Sequence, residues 1–237
     1  MKILVFDIWG DYAHFKKIYA TTSALTYAIP PKTSIYGYVG AILGLEKDKN
    51  EYLKYFENKQ CLIGIGIQKT LRFQRLGINL KAELGRKKEG SPPKPTMMEF
   101  VHQPRYRIYF SHQNNEVYNK LKLALEKHHS VYTPCLGLAF LTSNFELIGE
   151  FEAKKIDSNE SILLDSVLRR KHFIEFDREG FLQNEVQIIE QSMYALEMDI
   201  ERNVTERDDV LLERNGRPIK VRLNEYYQID GKNICLF

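Results

Sequence analysis

Lys2 to Trp9 is apolar on both faces except at Asp7, which predicts a central strand covered on two sides. A polar, aromatic passage follows, and Pro30-Pro31 stops any regular element. Thr33 or Ser34 can then cap a helix running to about Gly44, with a second helical piece over Glu51 to Phe56. Cys61 to Thr70 is β-branched and glycine-punctuated, hence strand-like. Leu84 to Thr96 sets Gly85, Gly90, Pro92, Pro93 and Pro95 among charges, so a long loop or arm without a regular element is expected there. Arg105 to Ser111 alternates Tyr106, Ile108 and Phe110 against Arg107 and Tyr109, the period of a half-buried strand. Asn114 or Asn115 caps a helix with Val117, Leu121 and Leu125 four apart on one face. It ends near Lys127-His128-His129, where positive charge suits a helix C-terminus. Phe145 to Ala153 is a fourth strand.

This order predicts an α+β chain: a ferredoxin-like, RRM-like βαββαβ domain over residues 1–156 with a protruding basic arm at about 72–96. The polar link Lys154 to Glu160 leads into a small antiparallel β subdomain at 157–237. Its hairpin signals are Asn215-Gly216 between Val210-Leu211-Leu212 and Ile219-Lys220-Val221, and Asp230-Gly231 between Tyr226 to Ile229 and Ile234-Cys235-Leu236. Arg178-Glu179-Gly180, between Phe173 to Phe176 and Phe181 to Ile189, suggests a third.

Composition narrows the classes. With 34 Lys plus Arg against 31 Asp plus Glu, the net charge of +3 excludes a histone-like polycation, and 43% hydrophobic residues suffice for a packed core. The charge is uneven, however. Residues 1–156 hold 23 basic and 14 acidic residues, or +9, and 157–237 hold 11 and 17, or −6. Lys69, Arg72, Arg75, Lys81, Arg86, Lys87, Lys88 and Lys94 cluster in one basic run, an electrostatic footprint for nucleic acid or another polyanion. The apolar start meets Asp7 long before a membrane span could form, so the chain reads as cytoplasmic. Cys61, Cys135 and Cys235 are far apart and show no metal-ligand spacing, so no disulfide framework, metal or cofactor is expected.

Thr21 to Ser34 crowds hydroxyls, Tyr27 and two prolines into one stretch. It reads either as an ordinary loop with a helix cap or as a donor set for phosphate and sugar at a helix N-terminus. Gly37, Gly40, Ala41 and Gly44 then share one helical face, which permits close approach of a packing partner or of a nucleic-acid backbone. His128-His129, flanked by Lys127 and Tyr132, is the one cluster with the residue types of metal-free RNA cleavage; its alternative is a charged helix end.

Gly10-x-x-Ala13-His14-Phe15-Lys16, then Thr22-Ser23 through Thr26-Tyr27 and Pro30-Pro31-x-Thr33 into Gly37-x-x-Gly40-Ala41-Ile42-Leu43-Gly44, resembles the N-terminal signature of the fifth CRISPR-associated (Cas) protein family, a Cascade subunit of the repeat-associated RNA-binding superfamily. Tyr132-Thr133-Pro134-Cys135-Leu136-Gly137 resembles that family's second, Pro-x-Leu-Gly motif, although the following Leu138-Ala139-Phe140 is apolar where polar residues often stand. The resemblance implies a noncatalytic subunit of a type I CRISPR interference complex that grips the 5′ handle of the CRISPR RNA, with the Arg72 to Thr96 arm as its thumb. It further implies contacts with the large Cascade subunit and the backbone subunits, with target DNA near the protospacer-adjacent motif as a further candidate partner.

Charge and resemblance together give an expected RNA-binding set of Gly10, His14, Lys16, Lys17, Thr22, Ser23, Tyr27, Thr33, Ser34, Tyr36, Arg72, Arg75 and Lys81, in which Tyr27 and Tyr36 offer stacking faces. One branch of the family cleaves repeat RNA without metal, and Lys127, His128 or His129 with Tyr36 or Tyr38 could imitate its residue set. A third alternative is a scaffold subunit whose arm meets acidic protein instead of RNA.

Overall fold

The computed structural model describes residues 1–20, 24–57, 59–80, 94–177 and 186–237. Thr22, Ser23, Lys81, residues 84–93 of the expected arm and the Arg178-Glu179-Gly180 turn lie outside the described residues. The architecture is α+β and strand-rich. Its main sheet comprises β1 (Lys2–Gly10), β2 (Cys61–Ile67), β3 (Arg105–His112), β4 (Ser143–Ile156), β5 (Tyr226–Ile229) and β6 (Lys232–Ile234). They run in the order β6-β5-β4-β1-β3-β2, with every neighbouring pair antiparallel. Helix α1 (Lys32–Leu43) lies between β1 and β2 in the chain, and α2 (Asn115–Glu126) between β3 and β4.

The period-two pattern of β1 explains its central place. Leu4, Phe6 and Ile8 join Ile35, Val39 and Ile42 of α1 and Leu121 and Leu125 of α2 in the main core. On the opposite face Ile3 and Val5 pack with Tyr109, Ile229, Ile234 and Leu236. Asp7 is tolerated in the buried strand because Arg105 and Arg107 reach its carboxylate from β3, with Nε atoms 2.9 and 2.8 Å away.

Helix α1 starts two or three residues earlier than expected. Pro31, at φ −52° and ψ 149°, occupies the N-cap, and Thr33 and Ser34 fall in the first turn without capping it. The pyrrolidine ring presets the extended conformation, and the Pro31 carbonyl accepts from the N–H groups of Ser34 and Ile35. In α2, Asn114 caps as the sequence suggests: its Oδ1 accepts from the N–H of Glu116 at 2.8 Å.

His112 joins β3 to this cap. Its Nδ1 accepts from the Asn114 N–H at 2.9 Å, so the proton sits on Nε2, which donates to the Tyr55 carbonyl at 2.6 Å. Burial lowers the affinity of this imidazole for a second proton, and it does the same for His14. Below the ordinary value of 6.5 the unfolded chain therefore takes up protons that the folded chain refuses. Stability is fully present above that pH and falls as the solution is acidified, by at most about 1.4 kcal/mol per pH unit for each histidine. Urea titrations at pH 7.5 and 5.5 check this: the decline should be shallower in His112→Gln, and an equal decline would contradict the assignment.

The described residues of 157–237 form antiparallel β structure, and the main sheet and core continue across residue 156. β5 and β6 extend the sheet from β4, and Tyr194, Leu196, Val210, Leu212 and Phe237 enter the main core. Asp230-Gly231 is the expected tight turn, with both residues at positive φ and Ile229 opposite Lys232. The Asn215-Gly216 hairpin is corrected. Val204–Glu213 pairs with Ile188–Met198 and with Leu168–Arg169, whereas Ile219–Leu223 pairs with Ser161–Leu164 and Phe173–Phe176 in another sheet. The Glu213 carboxylate accepts from the N–H groups of Asn215 and Arg217 and steers the chain from one sheet to the next. The expected pairing of Phe173 to Phe176 with Phe181 to Ile189 falls in part outside the described residues, and of the latter segment Ile188 and Ile189 pair with Glu213 and Leu212.

The arm has regular structure at its root. Arg72–Leu80 and Lys94–His102 pair antiparallel, and Tyr12–Ala13 adds a third strand. Leu76 and Ile78 alternate toward Met98, Phe100 and Leu141 in a separate small apolar cluster. Among the described residues no helix is long and apolar enough to cross a membrane.

Candidate nucleic-acid interface

The loop leading into α1 is held by the core from behind. Tyr106 donates to the Ala28 carbonyl and Tyr194 to the Pro30 carbonyl, both at 2.6 Å. Thr26 Oγ1 accepts from the Phe15 N–H at 2.8 Å, tying the loop to the first motif segment. One turn further on, the Lys32 ammonium, only 2% exposed, lies 2.7 Å from Glu197 Oε1, and Tyr36 donates to Glu197 Oε2 at 2.9 Å. This buried set fastens the start of α1 to the strand Ile188–Met198.

It also corrects the expected stacking platforms. Tyr36 is fully buried, with its ring stacked on Phe56 at 4.7 Å, and Tyr27 is buried with its hydroxyl shared between the carbonyls of Ser192 and Met193. Burial pushes both phenols above their ordinary pKa. Neither ring has a free face for a base. Aromatic residues beside a loop looked like stacking groups in sequence, but their hydroxyls serve as latches for distant backbone.

The two motif segments meet. The His14 N–H donates to the Leu136 carbonyl at 3.0 Å, and Gly137 stands at φ +102° with its α-carbon so close to His14 that a Cβ would fall 1.9 Å from the His14 oxygen. Gly10 is similarly pressed on Thr142, where a Cβ would lie 2.9 Å from the carbonyl oxygen. His14 itself is largely buried at the edge of a cleft: its Nδ1 is 2.7 Å from the Glu99 carbonyl, and its ring touches Phe100. It thereby joins the motif to the returning strand of the arm.

A groove opens along this junction as two adjoining clefts of about 410 Å³ each, which share Ser34 and Gly137. One runs over Thr33, Gly37, Gly40 and Ala41 of α1 to Lys47 and Arg202; the other is bordered by Lys16, Met98 and Phe140. Gly37 faces open space, whereas Gly40 backs on the Tyr52 ring, so the small-residue face serves both access and packing. Lys16, Lys47 and Arg202 are exposed at its rim. Lys47 and Arg202 were not among the sequence candidates. Arg202 comes from the acidic C-terminal part, and only the pairing of Ile188–Met198 with Val204–Glu213 carries it to α1.

Of the remaining candidates, Lys17 is half-buried, with its ammonium 5.8 Å from the Tyr19 ring centre and 5.9 Å from that of Tyr27. Arg72 and Arg75 are exposed on the outgoing arm strand, and Arg75 lies 3.7 Å from Glu99. The candidates of the cleavage-type set differ in burial: Tyr36 and Tyr38 are buried. Lys127, His128 and His129 are exposed at the end of α2, with the His128 ring over Phe145 at 4.8 Å. The Tyr38 hydroxyl is engaged by Ser143 and the Asn144 carbonyl, and that of Tyr36 by Glu197. Among the described residues no group of three or more His, Cys, Asp or Glu could hold a metal ion.

The sequence profile of the family described as CRISPR-associated protein (Cas_Cas5) matches residues 3–127. A CRISPR protein from Archaeoglobus fulgidus superimposes with a TM-score of 0.56 at 15% identity, covering 99% of this chain and 98% of that one. A chain of a CRISPR RNA-guided surveillance complex aligns with a TM-score of 0.48 at 11% identity, over 94% of this chain and 90% of that one. No curated protein matches the sequence.

Proposed function

The chain belongs to the Cas5 family of CRISPR-associated proteins, and from that premise we propose that it is a noncatalytic RNA-binding subunit of a type I CRISPR interference complex, gripping the 5′ handle of the CRISPR RNA. The observation that carries this reading is the convergence of His14 to Lys16, the glycine face of α1 and the Cys135 to Phe140 segment on one groove rimmed by Lys16, Lys47 and Arg202. Cations along a channel with a smooth floor suit a polyphosphate backbone. Arg72 and Arg75 on the arm supply further phosphate contacts, and the large and backbone subunits meet the arm and the acidic C-terminal strands. Target DNA near the protospacer-adjacent motif would meet the assembled complex.

We read β1, β2, β3 and β4 with α1 and α2 as the ferredoxin-like, RRM-like unit. Support comes from the order β4-β1-β3-β2 with one helix between β1 and β2 and another between β3 and β4. The sheet face opposite the helices is a poor RNA platform here: Ile3, Val5 and Tyr109 are buried under C-terminal strands, and Asp7 is neutralised by two arginines. The RNA is therefore assigned to the side of α1.

Purified protein incubated in chelator with repeat RNA containing the handle should retain the RNA in a complex and leave it uncut. Specific cleavage lost in His128→Ala or His129→Ala would overturn the noncatalytic reading, and absence of RNA binding would favour a scaffold role.

A further inference from the structure

We propose that the cleft beside Phe140 holds one unstacked base of the bound RNA, with Phe140 as its stacking face; this rests on the groove being the RNA path. The two halves of the groove differ in chemistry. The half over α1 ends on Lys47 and Arg202 and carries the hydroxyl of Thr33, whereas the Phe140 half is walled by Phe15, Met98 and Leu138, with His14, Lys16 and Ser34 as its polar margin. A backbone of phosphates gains nothing from an apolar wall. A base turned out from that backbone gains a desolvated face while its own phosphate stays within the cationic margin.

The presentation of Phe140 points the same way. The Leu136 N–H donates to the Leu141 carbonyl and the Leu141 N–H to the Leu138 carbonyl, each at 2.9 Å, closing a tight loop on the Cys135–Thr142 bridge. Leu141 is buried and Leu138 half-buried in the apolar cluster with Met98 and Phe100, so the loop is anchored on both sides of its tip. Phe140 is nevertheless 61% exposed, the highest value among the large hydrophobic residues described. The loop that presents the ring is anchored, so little backbone entropy is lost when a base settles on it. The volume of about 410 Å³ admits a nucleobase with part of its sugar.

The test uses the whole protein and a fluorescein-labelled single-stranded RNA carrying the repeat-derived 5′ handle. Phe140→Ala should weaken binding by about 5- to 150-fold. It should leave the slope of log affinity against log salt unchanged, because stacking releases no counterions. Phe140→Trp should retain binding. Scanning an abasic site along the handle should find one position where the loss equals that of Phe140→Ala and where adding the substitution costs nothing more. Since the ring is exposed, both variants should melt like the parent protein. Wild-type affinity in Phe140→Ala would overturn the base site and leave the groove reading intact, and loss of a protein partner without loss of RNA would assign the ring to that partner instead. Absence of RNA binding by the parent protein would remove both.

Discussion

Glu197→Ala should destabilise the protein by about 3–5 kcal/mol, a large share of the roughly 5–15 kcal/mol that holds a typical domain folded. The cause is the Lys32 ammonium, 2% exposed, which loses its partner at 2.7 Å while the Tyr36 hydroxyl loses an acceptor. An unpaired buried charge is far more costly than the original pair was beneficial. For a chain of this length each kcal/mol lowers the melting temperature by about 2–4 °C, so a shift of about 6–20 °C is expected in thermal unfolding. The double variant Lys32→Met, Glu197→Leu should regain most of the loss, because it removes both charges together. A fall below about 1 kcal/mol in Glu197→Ala would mean that water reaches Lys32 and that the latch between α1 and the C-terminal strands is weak.

Gly137→Ala is the second large effect. Any side chain at φ +102° is strained, and here its first carbon would lie 1.9 Å from the His14 oxygen, a contact with backbone that no rotamer change relieves. The two motif segments must separate, at an expected cost of about 2–4 kcal/mol, and the groove they form should lose RNA affinity in parallel. Gly37→Ala is the matching control. Its Cβ meets nothing within 4 Å, and in a helix alanine is favoured over glycine, so stability should stay level or rise by about 0.5–1 kcal/mol. Equal melting temperatures for Gly137→Ala and the parent protein would show that His14 and Gly137 are not in the contact described.

Periodicity made the framework legible. The two-sided burial of Lys2 to Trp9, the alternation from Tyr106 to Phe110 and the Val117, Leu121, Leu125 stripe each correspond to an element of the structure. The dipeptide turns are less legible, since a type I′ signal specifies local backbone and not the strand that follows. Asp230-Gly231 closes a hairpin, whereas Asn215-Gly216, with Glu213 binding the backbone after it, passes the chain to another sheet. At the site the motif segments meet on one groove, but the stacking roles expected of Tyr27 and Tyr36 do not fit their burial. Tyr27, Tyr36 and His14 look like ligands in a polar stretch because sequence does not show the distant carbonyls and the carboxylate that they bond. Lys47 and Arg202 escaped notice for the converse reason: nothing in their neighbours marks them, and long-range strand pairing alone brings them to the groove.

The groove is tested most directly by the salt dependence of handle RNA binding in the triple variant Lys16→Ala, Lys47→Ala, Arg202→Ala beside the parent protein. All three side chains are exposed, so the fold should be retained. If each holds a phosphate of single-stranded RNA, the slope of log affinity against log salt should flatten by about 0.7 per lost contact, or about 2 for the three, with weakened binding at low salt. A slope equal to that of the parent protein would place the RNA elsewhere and contradict the account.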